Sequence, residues 1–465
     1  MSGPRIAFVA GLATGGTARH VATLAAGCRD AGLDVTVLAP AAALHALRAE
    51  ASLFAPSAGA SAGSDGTEGG QAGGVGRPGV VSGARPSAAG GADGNDSDLA
   101  GSVGRPGVVA GAAGGFSGIE FVPVDIGDRP RPGSDAAAIL RLRAEFAARQ
   151  PDVAHAHGVR AGAFAALAIG SLALGRIAVR GLGSRPPSAQ VPAGSARSGA
   201  ARRRRPALIV TVHNAPPPGR AARLAYAVLE RICARRADLV LGASADLVTR
   251  MRSLGADAEQ FDVPAARLSP PAEAAVATAR ADIGANGRPV VLAVGRLAAQ
   301  KGLDVLVAAS ALWGERDPRP RTVIAGDGPL AAQLRTQARQ SGADVVLLGA
   351  RDDVAALLAV ADVVVVPSRW EARALILQEA LRAGCPVVAS RVGGTPELTG
   401  EDGALLVPPA EPAALAAAIA TVLDDPELAA RLSAEARRRS AAFPAVEAAV
   451  AAALSIYRRI LPDHS

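Results

Sequence analysis

Among the 49 lysines and arginines of the chain, Lys301 is the only lysine. Either residue solubilises a surface, so a position that stays lysine in an arginine-rich chain points to a need for a compact ammonium on a flexible stem. Lys301 lies five residues after Arg296, in Gly295-Arg296-Leu297-Ala298-Ala299-Gln300-Lys301-Gly302, behind the apolar run Val290-Val291-Leu292-Ala293-Val294. The run reads as a buried parallel strand, and two cations at its C-terminal edge read as a phosphate site. A chance surface position is the competing reading. Two carboxylates, Glu371 and Glu379, follow the apolar run Val363 to Val366 at a spacing of eight. Glu371 falls in the strand-to-helix turn, where the free amides of the following helix can receive an anion or sugar hydroxyls. Glu379 sits within an otherwise apolar helix, so its carboxylate needs a partner. A ribose diol offers two hydroxyl donors, and an i,i+3 pair with Arg382 is the structural alternative.

The elements that must position these groups alternate strand and helix. The first series has strands over 5–10, 34–39, 119–123, 152–156 and 208–212, with helices over 17–31, 41–50, 135–149 and 160–175. It closes after Asp238-Leu239-Val240-Leu241-Gly242. A proline-bearing stretch, with Pro264, Pro270 and Pro271, separates it from a second series. There the strands fall near 290–294, 321–325, 344–348, 362–366 and 386–390, and three alanine-rich helices near 411–424, 426–441 and 444–460 finish the chain. Two successive βαβ series predict an α/β protein with two parallel-sheet domains, each carrying ligand loops at its strand C-termini.

Two stretches stand apart from this pattern. Residues 55–118 are rich in Gly, Ala, Ser and Pro, and the phrase Val75-Gly76-Arg77-Pro78-Gly79-Val80-Val81 recurs as Val103-Gly104-Arg105-Pro106-Gly107-Val108-Val109. This reads as an expanded loop rather than a solenoid. Residues 181–205 carry six arginines and no acid, and so hold nearly all of the net charge of +7. The remainder is close to neutral, and aromatic residues make up only 3%. No stacking platform accompanies the basic run, which argues against a nucleic-acid partner and leaves contact with anionic lipid open. Three scattered cysteines without a CxxC pair fit a reducing compartment, and neither a signal-peptide core nor a convincing membrane span is legible. The expected location is the cytoplasm, with association at the cytoplasmic membrane face left open.

In the first series Thr14-Gly15-Gly16-Thr17-Ala18-Arg19-His20 follows the first strand and opens a helix. The double glycine allows close backbone approach to a ligand, and a tight turn alone would explain it equally well. It lacks the three-glycine dinucleotide fingerprint. His213 ends the strand Leu208 to Val212, where functional groups collect in such folds. Asp152-Val153-Ala154-His155-Ala156-His157 puts two histidines on one strand face, with no third metal ligand evident nearby in sequence. The expectation is no metal and no cofactor. The only Asp-x-Asp triplet, Asp96-Ser97-Asp98, falls inside the first low-complexity stretch.

From about residue 289 to 425 the chain resembles the C-terminal domain of retaining glycosyltransferases of family 4, which have the GT-B fold. The likeness rests on Arg296 with Lys301, on Glu371 with Glu379, on Gly326-Asp327-Gly328-Pro329-Leu330, on Gly349-Ala350-Arg351-Asp352-Asp353-Val354, and on Gly393-Gly394-Thr395-Pro396-Glu397. The resemblance implies two Rossmann-like domains facing across a cleft, with the insertions in the N-terminal one. Residues 1–270 would form the acceptor domain and 285–440 the nucleotide-sugar donor domain, with a route open for 441–465 to cross back as a helix. It further implies that Arg296 and Lys301 hold the donor diphosphate, Glu379 the ribose, Glu371 and the amides after it the donor sugar, and the turn from Arg351 to Val354 the base. Gly16 would border the donor phosphates, and His213 would lie close to the donor sugar. Where this family often has Gly or Pro after its first Glu, this chain has Ala372-Arg373-Ala374. The implied activity is metal-independent transfer of a sugar from a nucleotide donor to an acceptor, lipid-linked or small. A nucleotide-sugar epimerase and a non-catalytic sugar-nucleotide binder are the alternatives.

Overall fold

The computed structural model describes residues 3–11, 15–52, 118–181, 205–216 and 219–461. Nearly all of the two low-complexity stretches, including the repeated phrase, the Asp-x-Asp triplet and Arg202 to Arg204, lies outside the described residues.

Seven parallel strands form the first sheet: β1 (Arg5–Ala10), β2 (Asp34–Ala39), β3 (Ile119–Pro123), β4 (Val153–His157), β5 (Ala207–Val212), β6 (Leu239–Gly242) and β7 (Ala258–Gln260), in the order β3-β2-β1-β4-β5-β6-β7. The sequence pattern closes this unit after β6. The structure instead adds the helix Ala245–Ser253 and the edge strand β7, which pairs with β6 through Val240 to Gly242. Its three residues, Ala258-Glu259-Gln260, carry no run of β-branched or aromatic side chains, so neighbouring backbone rather than propensity makes it a strand.

The second sheet has six parallel strands: β8 (Val290–Val294), β9 (Arg321–Ala325), β10 (Val345–Gly349), β11 (Val363–Val366), β12 (Val387–Ser390) and β13 (Leu405–Val407), in the order β10-β9-β8-β11-β12-β13. Strands covered by helices on both faces read as continuous apolar runs, and Val363 to Val366 is fully buried for that reason. Both sheets are doubly wound, and in each the strand order reverses beside the first strand, between β1 and β4 and between β8 and β11. Ligands in open α/β sheets bind outside the carboxyl ends of strands at such reversal points.

The last helix, Val446–Ile460, packs on the first sheet and not on the second. Ala449, Ala453, Ile456 and Tyr457 join a core with Ile6, Phe8, Val21 and Leu24. The approach to the helix Gly16–Asp30 is close enough that a Cβ on Gly27 would lie 2.4 Å from a methyl of Val450. Gly27 is therefore fixed by packing.

Candidate functional site at the two reversal points

The predicted site residues other than Glu379 lie in the segments that follow strand C-termini. Arg296 follows β8, and Lys301 ends the short 3-10 turn Ala299–Lys301. From there Lys301 Nζ donates to Glu371 Oε1 at 2.5 Å, in the turn after β11. The Ser368 hydroxyl donates to the same oxygen at 2.7 Å. Glu371 is only 5% exposed, so the ammonium and the hydroxyl are what permit its charge there. The turn that carries Glu371 is stitched to the lysine turn by Arg369 N to Gln300 O at 2.8 Å and Gln300 Nε2 to Trp370 O at 2.8 Å.

Two glycines hold this turn from the other side. A Cβ on Gly393 would lie 1.9 Å from Glu371 O, and one on Gly394 would lie 1.9 Å from Ala372 O. Gly394 has an ordinary φ of −81°, so its requirement is space rather than backbone freedom. Gly394→Ala is expected to push the turn away from β12 at a cost of about 1–3 kcal/mol, typical of overpacking. The thermal midpoint should fall accordingly, and an unchanged midpoint would show that the turn yields without cost.

Glu379 lies inside the helix Leu375–Ala383 and is 7% exposed. Its partner is Arg19 of the glycine-loop helix in the first domain, Nη1 to Oε1 at 3.2 Å. Arg382, the partner offered by i,i+3 spacing, instead donates to the carbonyls of Ala265 and Pro444. Burial pushes the Glu379 carboxyl above its ordinary pKa, and the Arg19 charge only partly offsets this. Gly16 meets the same helix, since a Cβ there would lie 3.2 Å from Leu375 Cδ1. The glycine loop after β1 and the carboxylate helix after β11 are thus in direct contact.

Further contacts between the two domains were not legible in the sequence. Buried Gln378 accepts from Ala265 N at 3.1 Å and donates to Val263 O at 3.0 Å, clasping the linker. Glu397 accepts from Ala245 N and from Gln260 Nε2, both at 2.8 Å. Arg351 is held by both oxygens of Asp353, at 2.7 and 2.6 Å, and by Asp282 at 2.7 Å. Its guanidinium is committed to carboxylates of the protein, so what the turn offers a ligand is its backbone and Val354, the first residue of the next helix.

On the first domain's side His213 follows β5 and is buried with His20 and His157. His157 Nδ1 and His213 Nε2 are 3.2 Å apart. His155 is separately satisfied, with Nδ1 2.7 Å from Tyr457 Oη and Nε2 2.7 Å from Thr211 Oγ1. Burial drives all four imidazoles toward the neutral form, His213 down to about 4 and His155 down to about 3, and neighbouring histidines depress His20, His155 and His157 further.

Two doubly wound sheets with charged loops gathered at their reversal points define the GT-B class, in which two Rossmann-like domains share one ligand site. The chain belongs to the family described as the glycosyl transferase 4-like domain, whose profile matches residues 15–266; residues 277–439 match glycosyl transferases group 1. Among curated relatives, the α-D-kanosaminyltransferase of Streptomyces kanamyceticus is 35% identical over 194 residues, 40% of this chain and 50% of that protein. The D-inositol 3-phosphate glycosyltransferase of Corynebacterium glutamicum (strain R) is 37% identical over 215 residues, 44% of this chain and 49% of the relative. The chain thus spans about half the length of these relatives. Sucrose-phosphate synthase from Thermosynechococcus elongatus shares the fold, with a TM-score of 0.64 and 19% identity over 98% of this chain and 99% of that one. Anabaena HepE in complex with UDP-glucose is similar to the same degree, TM-score 0.64 and 19% identity, over 97% of this chain and 99% of that one. No described helix is long and apolar enough to cross a membrane.

Proposed function

We propose that the protein transfers a glycosyl group from a nucleoside-diphosphate sugar to an acceptor hydroxyl with retention at the anomeric carbon. The observation that carries this reading is the meeting of Lys301, Glu371, Glu379, Arg19 and Gly16, distant in sequence, at the carboxyl ends of β1, β8 and β11. In the reaction the bond from the anomeric carbon to the diphosphate oxygen breaks, and its electron pair leaves with the diphosphate. A new bond forms from the same face to the acceptor oxygen, whose proton is released. The chief electrostatic cost is charge growing on the leaving group. Arg296, Lys301 and the amides opening the helix Leu375–Ala383 would meet it on this reading, in place of a metal at the diphosphate.

Glu379 would accept the two ribose hydroxyls in place of Arg19. Glu371 and the amides after it would face the donor sugar, and Val354 with the backbone of its turn would border the base. His213, a neutral imidazole, can donate to or accept from a sugar hydroxyl. The acceptor falls to the first domain, and both lipid-linked and small-molecule acceptors fit that assignment.

A thermal-shift series with nucleotide sugars, run with and without EDTA, tests this reading. UDP-sugars are the first donors to try, because HepE, of the same fold, is known in complex with UDP-glucose. Saturating donor at about a hundred times its Kd should stabilise the chain by about 2.7 kcal/mol, and chelation should leave the shift unchanged. A shift abolished by EDTA would overturn the metal-free account. Conversion of the donor sugar to an epimer without any acceptor would overturn transfer itself.

A further inference from the structure

The helices Pro132–Arg149, Val159–Gly181 and Arg220–Arg236 lie side by side over one face of the first sheet. Their inner sides share one core, through Leu142 and Phe146, Phe164 and Ile169, and Cys233 and Ala234. Their outer side gathers apolar residues that have no core to join. Six large hydrophobic residues stand exposed among the described residues, and four of them, Leu140, Leu167, Leu224 and Val228, belong to this one layer. Single exposed leucines need no explanation, whereas a cluster on one face marks a contact surface. Leu224 and Val228 are open to solvent at 69% and 50%.

The helix Arg220–Arg236 sets this pair among cations. Residues three, four and seven apart share a helix face, so Arg220, Leu224, Val228, Arg231 and Arg235 form one outward stripe, and all five are exposed. The one acid of the helix, Glu230, turns the other way. It is 1% exposed, and both its oxygens are held by Arg250 at 2.6 Å. Among the described residues no carboxylate pairs with Arg220, Arg231 or Arg235. The stripe thus carries three unopposed positive charges around an apolar centre. The neighbouring run 181–205 is ill suited to cover it, because six arginines and no acid would repel those charges.

We infer that this stripe docks the first domain on an anionic lipid surface. A helix that lies flat in the headgroup boundary needs apolar side chains to reach toward the acyl region and cations to stay level with the phosphates. Leu224 and Val228 supply the first, and the long arginine stems on either side allow the second. Nucleic acid fits the stripe less well, since it presents no aromatic ring for stacking and an apolar centre has no role against a phosphate backbone. The contact is peripheral, as no described helix is long and apolar enough to cross a membrane. It lies on the outer helices and away from the reversal points, so it can fail without the donor-site reading and survive without it.

The test is co-sedimentation of the full-length chain with vesicles of phosphatidylcholine and with vesicles of equimolar phosphatidylcholine and phosphatidylglycerol. The expected result is saturable binding to the mixed vesicles alone, weakening as salt rises. Arg231→Gln combined with Arg235→Gln should weaken it at least tenfold, because each arginine near such a surface is worth about fivefold. Leu224→Gln combined with Val228→Gln should weaken it with the charge unchanged. These positions are exposed, so both variants should keep the parent's thermal midpoint. Arg203→Gln combined with Arg204→Gln, in the basic run 181–205, is the comparison and should retain most of the binding. No binding by the native chain, equal binding to phosphatidylcholine alone, full binding by either stripe variant, or loss confined to the Arg203 and Arg204 variant would each overturn the surface. Tighter binding to single-stranded DNA than to the vesicles, untouched by the Leu224 and Val228 changes, would overturn lipid as its partner.

Discussion

Lys301→Ala is expected to lower kcat for glycosyl transfer by about 10²–10³, the usual loss when one preorganised group facing developing charge is removed. The difficulty is that Lys301 is also the ion partner of Glu371, which is almost fully buried. Removing one member of a buried pair strands the other charge, at a cost that reaches 3–5 kcal/mol in fully buried cases. Lys301 keeps about a quarter of its side chain exposed, so the cost here is smaller. A drop in activity could therefore be folding in disguise, and a second variant separates the two. Lys301→Ala combined with Glu371→Gln removes the stranded charge and should recover the thermal midpoint without recovering turnover. Lys301→Arg tests the opposite property: it keeps the charge but presents a planar fork where the turn holds a compact ammonium, so it should keep stability and recover only part of the rate. Turnover within tenfold of the parent in a folded Lys301→Ala protein would remove the lysine from the site.

Lys301 rests on Glu371 and Arg19 rests on Glu379, so two charges assigned to the donor are neutralised by protein partners. Donor binding on this reading exchanges partners rather than creating charge contacts from nothing. That lowers the net affinity but keeps four charged groups from repelling or desolvating alone. The Arg19 pair also spans the two domains, so the exchange at Glu379 is felt by the glycine-loop helix.

How far the sequence alone reached follows from where its signals are local. Strands such as Val290 to Val294 and Val363 to Val366 are apolar runs bounded by turn residues, and they lie within a residue of their expected bounds. β7 and β13 have three residues each, and β7 has no apolar pattern, so pairing with a neighbour is what creates it. The spacing of Arg296, Lys301, Glu371 and Glu379 was legible because each follows a strand with a readable end. Arg19, Gln378 and Glu397 were not, because their partners lie 360, 113 and 152 residues away. The same applies to the histidines. His155 and His157 were visible as a strand pair, but the rings that meet His157 come from the helix Gly16–Asp30, as His20, and from the segment after β5, as His213.

Glu379→Gln is expected to separate function from stability more cleanly than any other change in this protein. Burial raises the Glu379 pKa in the folded chain above its unfolded value despite the Arg19 charge. A carboxyl shifted in that direction contributes stability below its unfolded pKa that is lost as pH rises through the folded one, so at neutral pH the ionised group works against folding. The amide of glutamine is neutral and nearly isosteric. Arg19 keeps about a third of its side chain in solvent, where its ion pair is worth little. The thermal midpoint of Glu379→Gln should therefore stay level or rise. Donor binding should move the other way. Two ribose hydroxyls donating to a carboxylate are charge-assisted contacts of about 1.5–3 kcal/mol each, whereas an amide offers one acceptor and turns two donors toward them. Loss of one such contact corresponds to at least tenfold in donor affinity, and Glu379→Ala, which removes both, should approach a thousandfold. Isothermal titration with the donor, set beside the melting curve, reads both quantities. A glutamine variant that melts earlier and binds donor normally would make Glu379 a structural carboxylate paired to Arg19, and would move the ribose elsewhere.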